Sequence, residues 1–186
     1  MIDIKGAGYF LDVAHVGICG IPKSAWLVGA GVLIHSHAIV IVQAFGRLPE
    51  EENLAHAWCD GLEETVAEFR AFEVAIAISE HIQYMGFSAT AHDRDTGNVD
   101  ADRLSVLSGV ALREGFGITN PYLGEKFAVA VVTTDYELET DLPLHASAKR
   151  AKGLGYWMGV GGAVPGIEWS RRAKRRSDLG IFPMEQ

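Results

Sequence analysis

The chain has 186 residues, 48% of them hydrophobic and 22% charged, with 16 Lys and Arg against 24 Asp and Glu for a formal charge of −8. That size and balance describe one globular domain with at most an arm, exclude wholesale disorder, and argue against general nucleic-acid binding. The longest apolar stretch, Ala25 to Ile34, is too short to span a bilayer, and the opening MIDIKGAGYF has neither a secretory h-region nor a twin arginine, so no membrane anchoring and a cytoplasmic location are expected.

His37 to Phe45 (HAIVIVQAF) is an apolar, β-rich run closed by Gly46, and it reads as a buried strand. A long helical stretch follows, from Pro49 to Met85. Pro49 with Glu50, Glu51 and Glu52 suits a helix start, Gly61 divides the stretch in two, and Gly86 suits its C-terminal cap. The section Ala71 to Ile78 (AFEVAIAI) is apolar nearly all round, which places it in the core, covered on most sides. Ser88 to His92 reads as a short strand, and Asp93 to Asp102 as a loop turning at Thr96-Gly97-Asn98. Asp100 or Asp102 caps a predicted helix from Ala101 to Glu114. Phe127 to Thr134 (FAVAVVTT) is a second strong strand, and the polar run to Leu144 turns at Pro143. Near the end, Arg171 to Arg176 (RRAKRR) forms a basic run on a short predicted helix. Strands and helices interleave without a regular strand–helix–strand beat, so the expected fold is an α+β sandwich, a mainly antiparallel sheet flanked by helices.

Several features look chemical, and most have a plainer account. Two cysteines, Cys19 and Cys59, are too few for a ferredoxin-type iron–sulfur cluster or a cysteine-rich zinc site, and they read as inert buried thiols. Gly29-Ala30-Gly31 resembles the opening of a dinucleotide-binding turn, but the third glycine is absent at Ile34, leaving an ordinary tight turn. Asp12, His15 and Gly17 have the wrong spacing for a corrinoid-binding Asp-x-His-x-x-Gly motif, and an Asp–His contact across one helical turn is the plainer reading. His35 and His37 share a face of a predicted strand, but no third ligand accompanies them, and nothing in the sequence brings His92 or Asp93 close. No metal site is expected. The most informative loop is Asn120 to Phe127 (NPYLGEKF), where Asn120-Pro121 starts a turn, Gly124 permits positive φ, and Tyr122 sits between them. Loops held this way by rigid elements often contact ligands.

These residues carry a family resemblance. Met85-Gly86-Phe87-Ser88-Ala89 after a helix, Ser108-Gly109-Val110-Ala111 in the next, the loop Asn120-Pro121-Tyr122-Leu123-Gly124-Glu125-Lys126, Thr134-Asp135, and Asp141-Leu142-Pro143-Leu144 occur in the order seen in the cobalamin-binding domain of reductive dehalogenases, relatives of the epoxyqueuosine reductases. The region from Ala71 to Leu144 resembles that domain. The resemblance implies a nitroreductase-like, cobalamin-processing fold and a base-off corrinoid held without a histidine ligand. It carries over Gly109, Asn120, Pro121, Tyr122, Leu123, Gly124, Lys126 and Phe127 as binding candidates.

The departures shape the functional expectation. The family's proton-donating tyrosine falls near Phe69 and Phe72, neither of which can give a proton. Its loop arginine becomes Lys126, which is not an equivalent group. The chain stops at FPMEQ, where the family's two-cluster segment would begin. The resemblance is greatest to the N-terminal, degenerate copy of the cobalamin domain in self-sufficient, non-membrane reductive dehalogenases. Residues 1–145 would form that module, and 146–186 a C-terminal extension leading onward. The expected role is non-catalytic and corrinoid-free, with the catalytic half or a second copy of the chain (a homodimer) as partner. An active corrinoid-binding domain, with Lys126 or Tyr122 as proton donor and electrons from a partner, is the alternative. A flavin-dependent nitroreductase-like enzyme that binds FMN is the second; Arg47, Arg94 and Arg103 are available for its phosphate, though no spacing selects them.

Overall fold

The structure is a computed structural model and describes residues 3–29, 35–59 and 61–144. In chain order these form α1 (Ile4–Phe10), β1 (His15–Gly20), a 3-10 turn (Lys23–Ala25), β2 (His37–Ala44), α2 (His56–Cys59), α3 (Leu62–Tyr84), β3 (Ala89–His92), α4 (Ala101–Leu107), β4 (Leu112–Glu114), β5 (Gly117–Thr119) and β6 (Phe127–Thr134). The main sheet has the order β1-β2-β6-β3 and every pairing in it is antiparallel. β4 and β5 form a separate hairpin.

The two strands read most clearly from the sequence become the middle of the sheet. β2 and β6 pair along their whole length, from His37 opposite Thr134 to Ala44 opposite Phe127. Their side chains are apolar on both faces rather than alternating because both faces are covered, and all eight residues of β6 are buried. On one face Ile39, Ile41, Ala130 and Val132 meet α3; on the other Val40, Val42, Val129 and Val131 meet Leu104, Val110 and Ile118.

α3 turns Ala67, Ala71, Val74, Ala75, Ile78 and Ile82 to the sheet, a helical spacing in which small residues allow close approach. Gly86, at φ 95°, closes it in the left-handed conformation that L side chains avoid. The expectation that residues 71–78 are covered on most sides is corrected: the sheet covers one face only, and Ile76 and Ala77 point outward. The helix start expected at Pro49 is also displaced. Asn53 Oδ1 accepts from the Ala55 N–H and the Pro49 carbonyl bonds the His56 ring at 2.8 Å, so residues 49–55 turn locally and only α2 is helical before Gly61.

Asp100 caps α4 by accepting from Arg103 N at 2.9 Å. The helix expected to reach Glu114 ends at Leu107. Gly109 takes φ 71° behind it, and the β4–β5 hairpin turns at Gly115 and Phe116. A Cβ on Gly109 would stand 2.3 Å from the Leu142 carbonyl oxygen, so residues 141–144 lie directly on this bend.

The outer edge of β1 is closed by Asp141. Its N–H donates to Ile18 O and its carboxylate accepts from Ile18 N, both at 2.8 Å, while Lys5 pairs with the same carboxylate at 2.5 Å. Among the described residues no helix is long and apolar enough to cross a membrane. The basic run at residues 171–176, the extension 146–186, and Ala30 and Gly31 of the glycine turn lie outside the described residues.

Candidate functional site

Residues 120–127 join β5 to β6 on the α4 side of the sheet. Asn120 is buried and organises the turn. Its Nδ2 donates to Val110 O at 2.8 Å, its Oδ1 accepts from Tyr122 N at 2.8 Å and Leu123 N at 3.0 Å, and its backbone exchanges bonds with Gly124 at 2.8 and 2.9 Å. Pro121 and Gly124 are buried, Leu123 packs into the core below, and Phe127 is already inside β6. Gly109 is also buried, one residue before the carbonyl that Asn120 holds. Six of the eight carried-over candidates therefore serve the turn or the core. Tyr122 is half-buried and Lys126 exposed.

Tyr122 has an unusual neighbour. Its ring lies 5.6 Å from that of His15, which is 2% exposed and has no hydrogen-bond partner at either ring nitrogen. Burial pulls the His15 pKa down to about 4, so the imidazole is neutral. The helical Asp12–His15 contact expected from the sequence is corrected. α1 stops at Phe10, Asp12 turns the chain at φ 62°, and His15 is the first residue of β1.

Phe69 and Phe72 lie elsewhere, on α3. They line a cavity of about 230 Å³ together with Glu68, Asp93, Arg94, Asp95, Thr96 and Val129. β3 pairs only with residues 131–134 of β6, and the cavity occupies the notch left beside the unpaired half of that strand. A second hollow, about 380 Å³, lies between the end of β2 and α3 and includes Arg47 and Arg70. The loop 120–127 lines neither, so the positions carried over for cofactor binding and those matched to the proton donor do not converge on one cleft.

The sequence missed a histidine pair. His35, not His37, is joined to His92, through the buried Thr133 hydroxyl at 2.7 and 3.0 Å. Asn98 N–H donates to His92 Nδ1 at 3.4 Å, which puts the His92 proton on Nε2, facing Thr133. Thr133 then donates to His35 Nδ1, and His35 Nε2–H donates to Ser88 Oγ at 2.8 Å. Every group in this neutral chain has a partner. Burial lowers both histidine pKa values, with His35 adding to the effect at His92, while Asp135 and Asp93 oppose it. Only strand pairing could have revealed the contact, because 57 positions of sequence separate the two rings. No cluster of three potential metal ligands exists among the described residues. Cys19 is buried beside Leu104 O and its thiol is pushed up to about 12 by burial and by Asp141; Cys59 is half-buried.

Drug-sized ligands fill about 300–1,000 Å³ and a corrinoid is larger still. The described residues shape hollows of about 230 and 380 Å³, and the 120–124 turn, which lines neither, is closed by its own bonds. For a flavin phosphate, Arg94 is held by Asp102 at 2.9 Å, Arg103 donates to Ser24 O, and Arg47 lines the second hollow, so the three do not form one anion site.

No protein-family model matches the sequence, and no curated protein matches it. Solved structures do. The catabolic reductive dehalogenase NpRdhA is 34% identical, with a TM-score of 0.75 over 98% of this chain and 26% of that one. The same enzyme in complex with 3-bromo-4-hydroxybenzoic acid gives 0.76 at the same identity and coverage. Epoxyqueuosine reductase from Streptococcus thermophilus shares the fold alone, at 10% identity and a TM-score of 0.54 over 77% of this chain and 48% of that one. The chain thus spans about a quarter of the length of the dehalogenases it matches. With a third of its residues identical along nearly its whole extent, and the same α+β architecture, it belongs to the reductive dehalogenase family.

Proposed function

We propose that this chain is a supporting module of a reductive dehalogenase-type oxidoreductase. It packs beside a half that binds the corrinoid and the clusters, and it carries no chemistry of its own. The observation behind this reading is the cavity on α3: two of its walls are Phe69 and Phe72, the residues that the sequence resemblance matches to the family's proton-donating tyrosine, and neither has a hydroxyl. The closed turn at Asn120 supports it, since a loop that satisfies its own polar groups has few left for a cofactor. The partner is the catalytic half or, for the isolated chain, a second copy.

The active alternative has one feature in its favour: the acidic side chain of Glu68 lines the same cavity as Phe69 and Phe72. Mixing the purified protein with cobalamin or FMN, desalting, and recording the visible spectrum separates the readings. The supporting role predicts no retained chromophore. A stoichiometric corrinoid band would establish the active alternative, and a flavin band the nitroreductase-like one.

A further inference from the structure

Charge is divided unevenly along this chain. Residues 1–144 hold eight Lys and Arg against 21 Asp and Glu, whereas residues 145–186 hold eight against three and add Tyr156, Trp157, Trp169 and Phe182. One surface of the body complements that composition. On the outer side of α3, Leu62, Val66 and Phe69 form a strip at intervals of four and three residues, with Phe69 68% exposed, and Trp58 of α2, 81% exposed, lies just before it in the chain. Such spacing places the three on one helix face. Glu64, Glu68 and Glu73 are exposed on the same helix, whose only arginine, Arg70, sits 3.8 Å from Glu73. Glu63 has a carboxylate oxygen shut from solvent with no partner. The cavity beside the strip has walls of Phe69 and Phe72 and a border of Glu68, Asp93, Arg94 and Asp95; Arg94 pairs with Asp102 and Asp93 accepts from Thr96, which leaves Glu68 and Asp95 as the carboxylates there without a bonded partner among the described residues. Aromatic faces and carboxylates together select a guanidinium or ammonium group.

We propose that this surface is the seat of the chain's own C-terminal segment. Residues of the run 171–176 place a cationic group in the Phe69–Phe72 cavity, and the aromatic residues upstream of the run cover the Leu62–Phe69 strip. Length is no obstacle: the 27 positions from Leu144 to Arg171 span up to about 90 Å when extended, several times the radius of a body this size. Tethering makes the event intramolecular, at an effective concentration near millimolar, so a modest surface is enough.

Carbodiimide cross-linking of the 186-residue chain at low concentration, followed by peptide mass spectrometry of the monomer band, tests this. Carbodiimide joins an amine to a carboxylate only in contact. The expected result is a bond from Lys174 to Glu64, Glu68, Asp93 or Asp95, lost in about 1 M salt, where charges are screened beyond about 3 Å. Links that form only between chains, and increase with concentration, overturn the proposal in favour of a second copy on this face. Lys174 linked to other carboxylates, or to none, overturns it outright. In parallel, reversing the run (R171E, R172E, K174E, R175E and R176E together) should speed hydrogen exchange across residues 62–70 about tenfold or more, leaving β2 and β6 unchanged. Unchanged exchange on α3 would also refute the docking.

Discussion

His15 makes the stability of this protein depend on pH in a way that can be isolated. The ring is 2% exposed, unpartnered at both nitrogens, and packed 5.6 Å from the Tyr122 ring. Its pKa falls to about 4 from the ordinary histidine value of about 6.5 because burial penalises the charged imidazolium. The folded state therefore binds the proton more weakly than the unfolded state. The contribution is fully present above pH about 6.5 and is lost as pH falls toward 4. At about 1.4 kcal/mol per pKa unit the loss reaches about 3 kcal/mol, a large part of the roughly 5–15 kcal/mol that holds a domain together. Urea unfolding of the parent and His15→Leu at pH 7, 6, 5 and 4.5 measures it. Leucine fills a similar volume and cannot titrate, and His35 and His92 remain in both proteins, so they cancel in the difference. At pH 7 the variant should be at least as stable, because two unpaired nitrogens leave the interior. Below pH 6 its advantage should widen to about 3 kcal/mol. Parallel curves for the two proteins would show that His15 is not held neutral by burial, and the argument would fail.

Other perturbations test the turn and the bend. Gly109→Ala should destabilise by about 2 kcal/mol or more, read from the thermal midpoint, because the new methyl meets the Leu142 carbonyl at 2.3 Å in a left-handed conformation. Asn120→Ala removes one donor and two accepted bonds inside the protein and should cost about 2–4 kcal/mol in urea unfolding, with the loss of protection concentrated in residues 120–124 under hydrogen exchange. Cys19 should stay unmodified by iodoacetamide at pH 8 in the folded protein while Cys59 reacts, since the Cys19 thiol is buried and pushed up to about 12; modification of Cys19 at the faster rate would contradict that burial.

The sequence was most legible where one physical demand acted alone. HAIVIVQA and FAVAVVTT had to be buried on both sides, and they are the paired centre of the sheet. Local chemistry was also readable at Asp100, which caps α4, and at Asn120 and Gly124, which make the turn. Where two signals competed, the wrong one was favoured. The acidic start after Pro49 looked helical, but Asn53 bonds its own backbone instead. Continuous apolar spacing from residue 101 to 114 hid the break at Gly109. The site was less legible than the fold. The resemblance pointed to a loop and a helix, yet whether the two meet depends on three-dimensional placement, and the loop lines neither of the hollows beside α3. The His35–Thr133–His92 chain was invisible because its members come from three separate segments brought together by strand pairing.

The position of Asp141 has a consequence for solubility. An open β-edge invites further strands to join it, and such joining can propagate into fibrils. Ile18 offers both its amide and its carbonyl on that side, and one aspartate occupies both while Lys5 holds the aspartate down. A single residue far along the chain thus acts as a stopper against intermolecular strand addition.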